Sequence, residues 1–185
     1  SPTISNNLIT ANDVSGPQQY YLGGGIYLNA TTTASPVITR NTITGNSVIP
    51  VSGSNNASNW GIGGGIYSGF GCHSTISQNA ITNNDAGNAN LTNERGYGAG
   101  ISVYMITGAP DTVITGNLIA GNIARNFGGG VYVGCYAITN AHTMVTITNN
   151  EIRGNAASGG GALSTYYSIS KVVNNTIVGN AAFQG

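Results

Sequence analysis

The sequence predicts an all-β solenoid: about six rungs of three short strands each, with loops inserted at two corners. Three observations predict it. An aliphatic residue, two spacers, Asn, one spacer, an aliphatic residue, two spacers and Asn recur six times in constant register. A Gly-rich run followed by an apolar residue that opens a short strand, as in Gly-Gly-Gly-Ile-Tyr, recurs between the copies. Ile, Val, Thr and Tyr dominate while Gly and Asn interrupt every few residues, which is strand-and-turn chemistry without helical periodicity.

The first phrase carries two aliphatic columns, Ile4-Ile38-Ile76-Ile114-Ile147-Val172 and Ile9-Ile43-Ile81-Ile119-Ile152-Ile177. Stacked rungs place each column in the interior. The accompanying Asn columns are Asn7, Asn41, Asn79, Asn117, Asn150 and Asn175, and Asn12, Asn46, Asn84, Asn122, Asn155 and Asn180. Asn tolerates the left-handed conformation a corner requires, and its amide can donate and accept along a stack. Both columns are therefore expected to be corner residues joined in hydrogen-bonded ladders. The Gly runs start at Gly23, Gly63, Gly98, Gly128 and Gly159, and the strand after each closes the third side through Ile26, Ile66, Ile101, Val131 and Ala162. The shortest repeat, Ile152 to Ile177, is 25 residues; longer ones grow only before the Gly run or after the strand that follows it. Such variation confined to corners suits a solenoid, and residues 1–185 are read as one domain.

Charged residues are 5% of the chain and its net charge is zero. Arg40, Arg95, Arg125, Arg153 and Lys171 stand singly, so nucleic acid, which needs clustered cations, is not an expected partner. No apolar run reaches the roughly 18 residues of a membrane span. A neutral coat rich in Asn, Thr, Ser and Gly points to an extracellular or cell-surface location.

The phrases Asn41-Thr42-Ile43-Thr44-Gly45-Asn46 and Gly-Gly-Gly-Ile-Tyr at 23–27 and 63–67 resemble the right-handed parallel β-helix proteins of the pectate-lyase-like superfold. Within it they look most like polymorphic outer-membrane proteins and adhesin passenger domains, although the FxxN motif of the former is missing. The resemblance implies the fold across nearly the whole chain. It leaves function open, because the superfold hosts lyases, hydrolases, tailspikes, adhesins and fibres.

Enzymes of that kind need clustered acids. The acids here are Asp13, Asp85, Glu94, Asp111 and Glu151. Asp13 and Asp85 occupy one column with Ser47 between them, roughly 10 Å apart at the usual strand spacing, and are read as solvated or turn residues. His73 and His142 have no matching partner. No catalytic residue, metal ligand or cofactor is assigned. Tyr27, Tyr67 and Tyr132 recur at one outward position and, with the loop residue Trp60, are the candidate ligand or partner contacts; packing beneath the loops is the alternative. Asn29, Asn56 and Asn90 begin Asn-x-Ser/Thr triplets in expected loops and are candidate glycosylation sites. Cys72 and Cys135 follow Gly strands two repeats apart; a disulfide and two buried thiols both stay open. A Thr10-Thr44-Thr82 row, broken by Ala120, Arg153 and Val178, argues weakly for ice binding.

The first rung is in register within four residues and the last stops before its Gly run, with no capping segment at either end. Self-association end to end, or membership of a larger parent protein, is expected. The functional expectation is a non-enzymatic extracellular structural or adhesive solenoid, possible glycans being its partners. The alternative is a carbohydrate-binding or polysaccharide-cleaving domain.

Overall fold

A computed structural model describes residues 1–16, 19–30, 34–50, 59–87, 95–105, 111–135 and 144–183, with only the backbone of Met105 and Cys135. The chain is a parallel β-solenoid of five sheets, without a helix among the described residues. Sheet 1 stacks Thr3–Ser5, Val37–Thr39, Thr75–Ser77, Thr112–Thr115, Met144–Thr148 and Ile169–Val173. Sheet 2 stacks Leu8–Thr10, Thr42–Thr44, Ala80–Thr82, Leu118–Ala120, Glu151–Arg153 and Thr176–Val178. Sheet 3 runs from Asp13–Gly16 to Ala181–Ala182, again with six strands. Sheet 4 holds Tyr20–Leu22, Trp60–Ile62 and Arg95–Tyr97. Sheet 5 stacks Ile26–Leu28, Ile66–Gly69, Ile101–Met105, Val131–Cys135 and Leu163–Tyr166.

The expected three strands per rung thus become five in the first three rungs. The segment after the second Asn is not a plain insertion. It leaves along sheet 3 and returns along sheet 4 before the Gly run. Sheets 1, 2 and 5 enclose the main core, where Ile38, Ile43, Ile76, Ile81, Ile114, Ile119, Ile147 and Ile152 are wholly buried in the predicted register. Sheets 3 and 4 enclose a second, smaller core of Tyr21, Val48, Ala86, Ala99, Ala124 and Ala157.

Both Asn ladders form. Asn79 Oδ1 accepts the backbone N–H of Asn41 at 2.9 Å and its side-chain Nδ2–H at 3.0 Å, and Asn117 Oδ1 does the same for Asn79. The second ladder repeats the pattern through Asn46, Asn84, Asn122 and Asn155. Each interior Asn also donates Nδ2–H to the Ile carbonyl of the preceding rung, as Asn79 does to Ile38. The left-handed corner, however, belongs to the residue before each ladder Asn. Asn6, Ala11, Arg40, Gln78, Asn83, Asn149 and Asn174 have φ from 54° to 58°, and Gly45, Gly116, Gly121, Gly154 and Gly179 hold the same conformation. The turn residue reverses the chain so that the next side chain points inward to its ladder.

One register also differs. Val131 pairs with Leu163, not Ala162, and Tyr132 with Ser164. In the fifth rung Gly159 bridges Phe127, so Gly160 is the left-handed glycine equivalent to Gly128. The Gly run passes close to sheet 3. A Cβ on Gly64 would collide with the Asp85 carbonyl and lie 2.9 Å from the Ala99 oxygen, so that crossing admits no side chain.

Candidate functional site

Residues of sheets 4 and 5 on the side away from the main core form a third, aromatic cluster. Tyr67, Tyr97, Tyr132 and Ile62 are buried there, with Leu22, Trp60 and Tyr104 packed against them. Local sequence explains how sheet 5 accommodates the rings. Outward positions pair Tyr67 with Gly69, Ser102 with Tyr104, Tyr132 with Gly134 and Ser164 with Tyr166, large and small residues alternating from rung to rung. A Cβ on Gly69 would sit 2.5 Å from the Tyr67 ring, and one on Gly134 would sit 2.7 Å from the Tyr132 ring. Each tyrosine therefore lies flat over the glycine two residues on.

Sheet 4, extended by the isolated bridge from Tyr97 to Phe127, supplies a column of rings. Trp60 and Tyr97 stack at 5.2 Å and 22°, and Tyr97 and Phe127 at 5.9 Å and 26°. Arg95 lies 4.9 Å over the Trp60 ring and hydrogen-bonds Tyr97. A guanidinium over an indole face is a cation–π pair. Burial pushes the Tyr97 phenol up, opposed by the Arg95 charge and hydrogen bond; burial raises Tyr67 and Tyr132 as well. All three phenols therefore stay protonated near neutral pH and can donate.

Between this column and Tyr166 and Tyr167 lies a cleft of about 610 Å³, lined also by Tyr104, Tyr132, Ser164 and Thr165. That volume falls within the roughly 300–1,000 Å³ of small-molecule sites. The lining is aromatic faces and edges with hydroxyl groups between them and one cation. It offers stacking and hydrogen bonds, not a nucleophile with its base.

The candidate contacts separate. Tyr27 is exposed and stacks on Tyr67 at 5.4 Å and 8°. Tyr67 and Tyr132 are both buried in the aromatic cluster; Trp60 is half-buried and lines the cleft with Tyr132. The Tyr row does face away from the main core, but most of it became a core of its own. Tyr104, Phe127, Tyr166 and Tyr167 were not singled out as contacts from sequence. The alternation of Tyr-x-Gly with Ser-x-Tyr over rungs two to five was the signal that could have found the packing.

The remaining candidates do not join the cleft. Asn29 is exposed; Asn56 and Asn90 lie outside the described residues, as do Glu94 and His142. Cys72 is a buried free thiol, its pKa raised by burial. The Cys135 backbone stands opposite Met105, and its side chain lies outside the described residues. Glu151 pairs with Arg153 at 2.7 Å on the surface, where such pairs contribute little. Among the described residues no group of three or more His, Cys, Asp or Glu is placed to hold a metal ion, and no helix is long and apolar enough to cross a membrane.

The column Asp13-Ser47-Asp85 has the predicted register, and Ser47 Oγ donates to Asp13 Oδ1 at 2.6 Å. Burial raises the Asp85 carboxyl to about 6, only partly opposed by the Ala86 N–H. The folded state thus holds its proton to higher pH than the unfolded chain, whose Asp titrates near 4. This group's contribution to stability is full below about pH 4 and declines as pH rises towards 6. Asp85→Asn is expected to remove that decline and to add on the order of 1 kcal/mol at pH 7, after discounting for partial exposure. Thermal melts of both proteins at pH 4 and 7 check this; an unchanged pH slope in the variant would refute it.

No family model, curated protein or solved structure matches this chain.

Proposed function

We propose that the chain is a non-enzymatic, surface-exposed adhesive β-solenoid, of the kind its repeats resemble, and that it holds carbohydrate in the aromatic cleft. The observation that carries this reading is the cleft lining: stacked rings from Trp60, Tyr97 and Phe127 facing Tyr166 and Tyr167, with Ser164, Thr165 and Arg95 at hand. A pyranose presents an apolar face of C–H groups and a girdle of hydroxyls. Aromatic rings take the first, while phenols and a guanidinium take the second. The repeated positions are occupied by architecture, and recognition on solenoids sits on what varies between repeats. Scarce charge with abundant Asn, Thr and Ser supports an extracellular setting.

Retention on an array of oligosaccharides tests the reading. Binding to at least one glycan class is expected, and Phe127→Ala, which removes a ring that is 43% exposed, is expected to weaken it about tenfold. No retention on any glycan would sink the proposal, and release of shortened products would replace adhesion with cleavage.

A further inference from the structure

The two walls of the cleft are unequal. On the sheet 4 side, Trp60, Tyr97 and Phe127 lie face to face along the solenoid axis. Their faces are largely occupied by one another, which leaves mainly edges for a ligand. On the other side, Tyr166 and Tyr167 are 56% and 51% exposed, and their rings meet at 4.3 Å and 68°. Two rings near a right angle make an open corner with free faces.

The backbone there carries a second signal. Tyr167 has φ of 49°, the left-handed region. The left-handed residues at the ladder corners are mostly Gly and Asn, for which this conformation costs little, whereas the two aromatics with positive φ, Phe70 at 24° and Tyr167, each directly follow a sheet 5 strand. A bulky aromatic is a poor choice for it, and a strained residue in a cleft is a reason to look for function. The ring is half-exposed and packs on Tyr166 in the cleft, whereas Gly would make the same turn at no steric cost.

We propose that Tyr166 and Tyr167 form the stacking corner that receives one pyranose ring of the ligand, the left-handed turn at Tyr167 serving to set its ring across that of Tyr166. This rests on the carbohydrate reading of the cleft and deepens it. The ring of the sugar lies on one tyrosine face, and its equatorial hydroxyls reach the second phenol. The edge-on contact between the two rings, 4.3 Å at 68°, fixes the shape of the corner. Arg95 stands on the opposite side of the cleft and is placed to meet the next sugar unit.

The single tryptophan, Trp60, lines the cleft and reports its occupancy by fluorescence. Titration of the wild type with cellobiose, diacetylchitobiose, lactose and digalacturonate identifies a working probe. Tyr166→Ala, Tyr167→Ala and Tyr167→Gly are each expected to raise the Kd for that probe about tenfold. Tyr167→Gly is also expected to melt about 2–4 °C above Tyr167→Ala, since only glycine fits the left-handed turn. If the wild type binds and all three variants bind as well as it does, the corner is overturned while the cleft reading stands. If Tyr167→Gly melts no higher than Tyr167→Ala, the claim of a strained turn is overturned. If no glycan of the array is retained and Trp60 responds to none of the four sugars, the carbohydrate reading fails and takes the corner with it.

Discussion

Asn84→Ala is expected to lower the unfolding free energy by about 3–5 kcal/mol, from the cost of stranding several buried polar groups at once. Asn84 is 1% exposed and stands in mid-ladder. Its Oδ1 accepts the backbone N–H and the Nδ2–H of Asn46, both at 3.0 Å. Its Nδ2–H groups reach the Ile43 carbonyl at 3.1 Å and Asn122 Oδ1 at 2.9 Å. Alanine removes all four bonds and supplies nothing in exchange, and water cannot reach the orphaned Asn46 N–H. For a chain of this length the loss corresponds to a fall in Tm of roughly 10–15 °C. Asn180→Ala deletes equivalent bonds to Asn155 on the last described rung, where the side chain is half-exposed and water can substitute. About 1 kcal/mol is expected there. Urea unfolding of both variants measures the difference, and similar losses at Asn84 and Asn180 would refute burial as the source of the ladder's strength.

The ladder was legible because its requirement is absolute: one amide per rung at one spacing, so that six copies cannot drift. The same argument explains the misassigned corner. The tolerance of Asn for positive φ is a preference of a single residue, whereas the stacked amide needs its Asn pointing inward. The preceding residue therefore takes the left-handed turn, even when it is Arg40 or Gln78. Sheets 3 and 4 left weaker marks. Their strands are as short as Asp85–Ala86, and the connecting lengths vary from rung to rung. The segments Tyr20-Tyr21-Leu22, Trp60-Gly61-Ile62 and Arg95-Gly96-Tyr97 look unrelated until they are aligned on the Gly runs that follow them. The cleft was the least legible part. Its rings come from different rungs and from two sheets, and only the backward turn of sheet 4 brings them together. That turn depends on glycines whose role is space, which composition alone does not disclose.

Gly96→Ala isolates that dependence. Gly96 lies where sheet 4 folds back on sheet 3. A Cβ there would overlap the Ala86 carbonyl and lie 2.7 Å from the Arg125 nitrogen. Neither atom can yield, because the Arg125 N–H donates to that same Ala86 carbonyl at 2.9 Å. Gly96 is itself pinned: its N–H donates to Asn126 Oδ1 at 2.8 Å, and its carbonyl accepts from Asn126 and Phe127. One methyl therefore sets backbone against backbone, and a loss of about 3 kcal/mol or more is expected, at the upper end for overpacking. The damage should centre on the cleft, since Arg95 and Tyr97 flank the site. Trp60 emission should shift to the red as its ring loses Tyr97, and glycan binding should fall with it. Gly154→Ala is the matched control. Gly154 has φ of 60° with nothing within 4 Å of its added Cβ. It risks only left-handed strain, about 1–2 kcal/mol, partly offset by the lower entropy of the unfolded chain. It should leave Trp60 emission unchanged. Equal destabilisation of the two variants, with emission unmoved in both, would mean that sheets 3 and 4 tolerate separation and that the cleft does not depend on their contact.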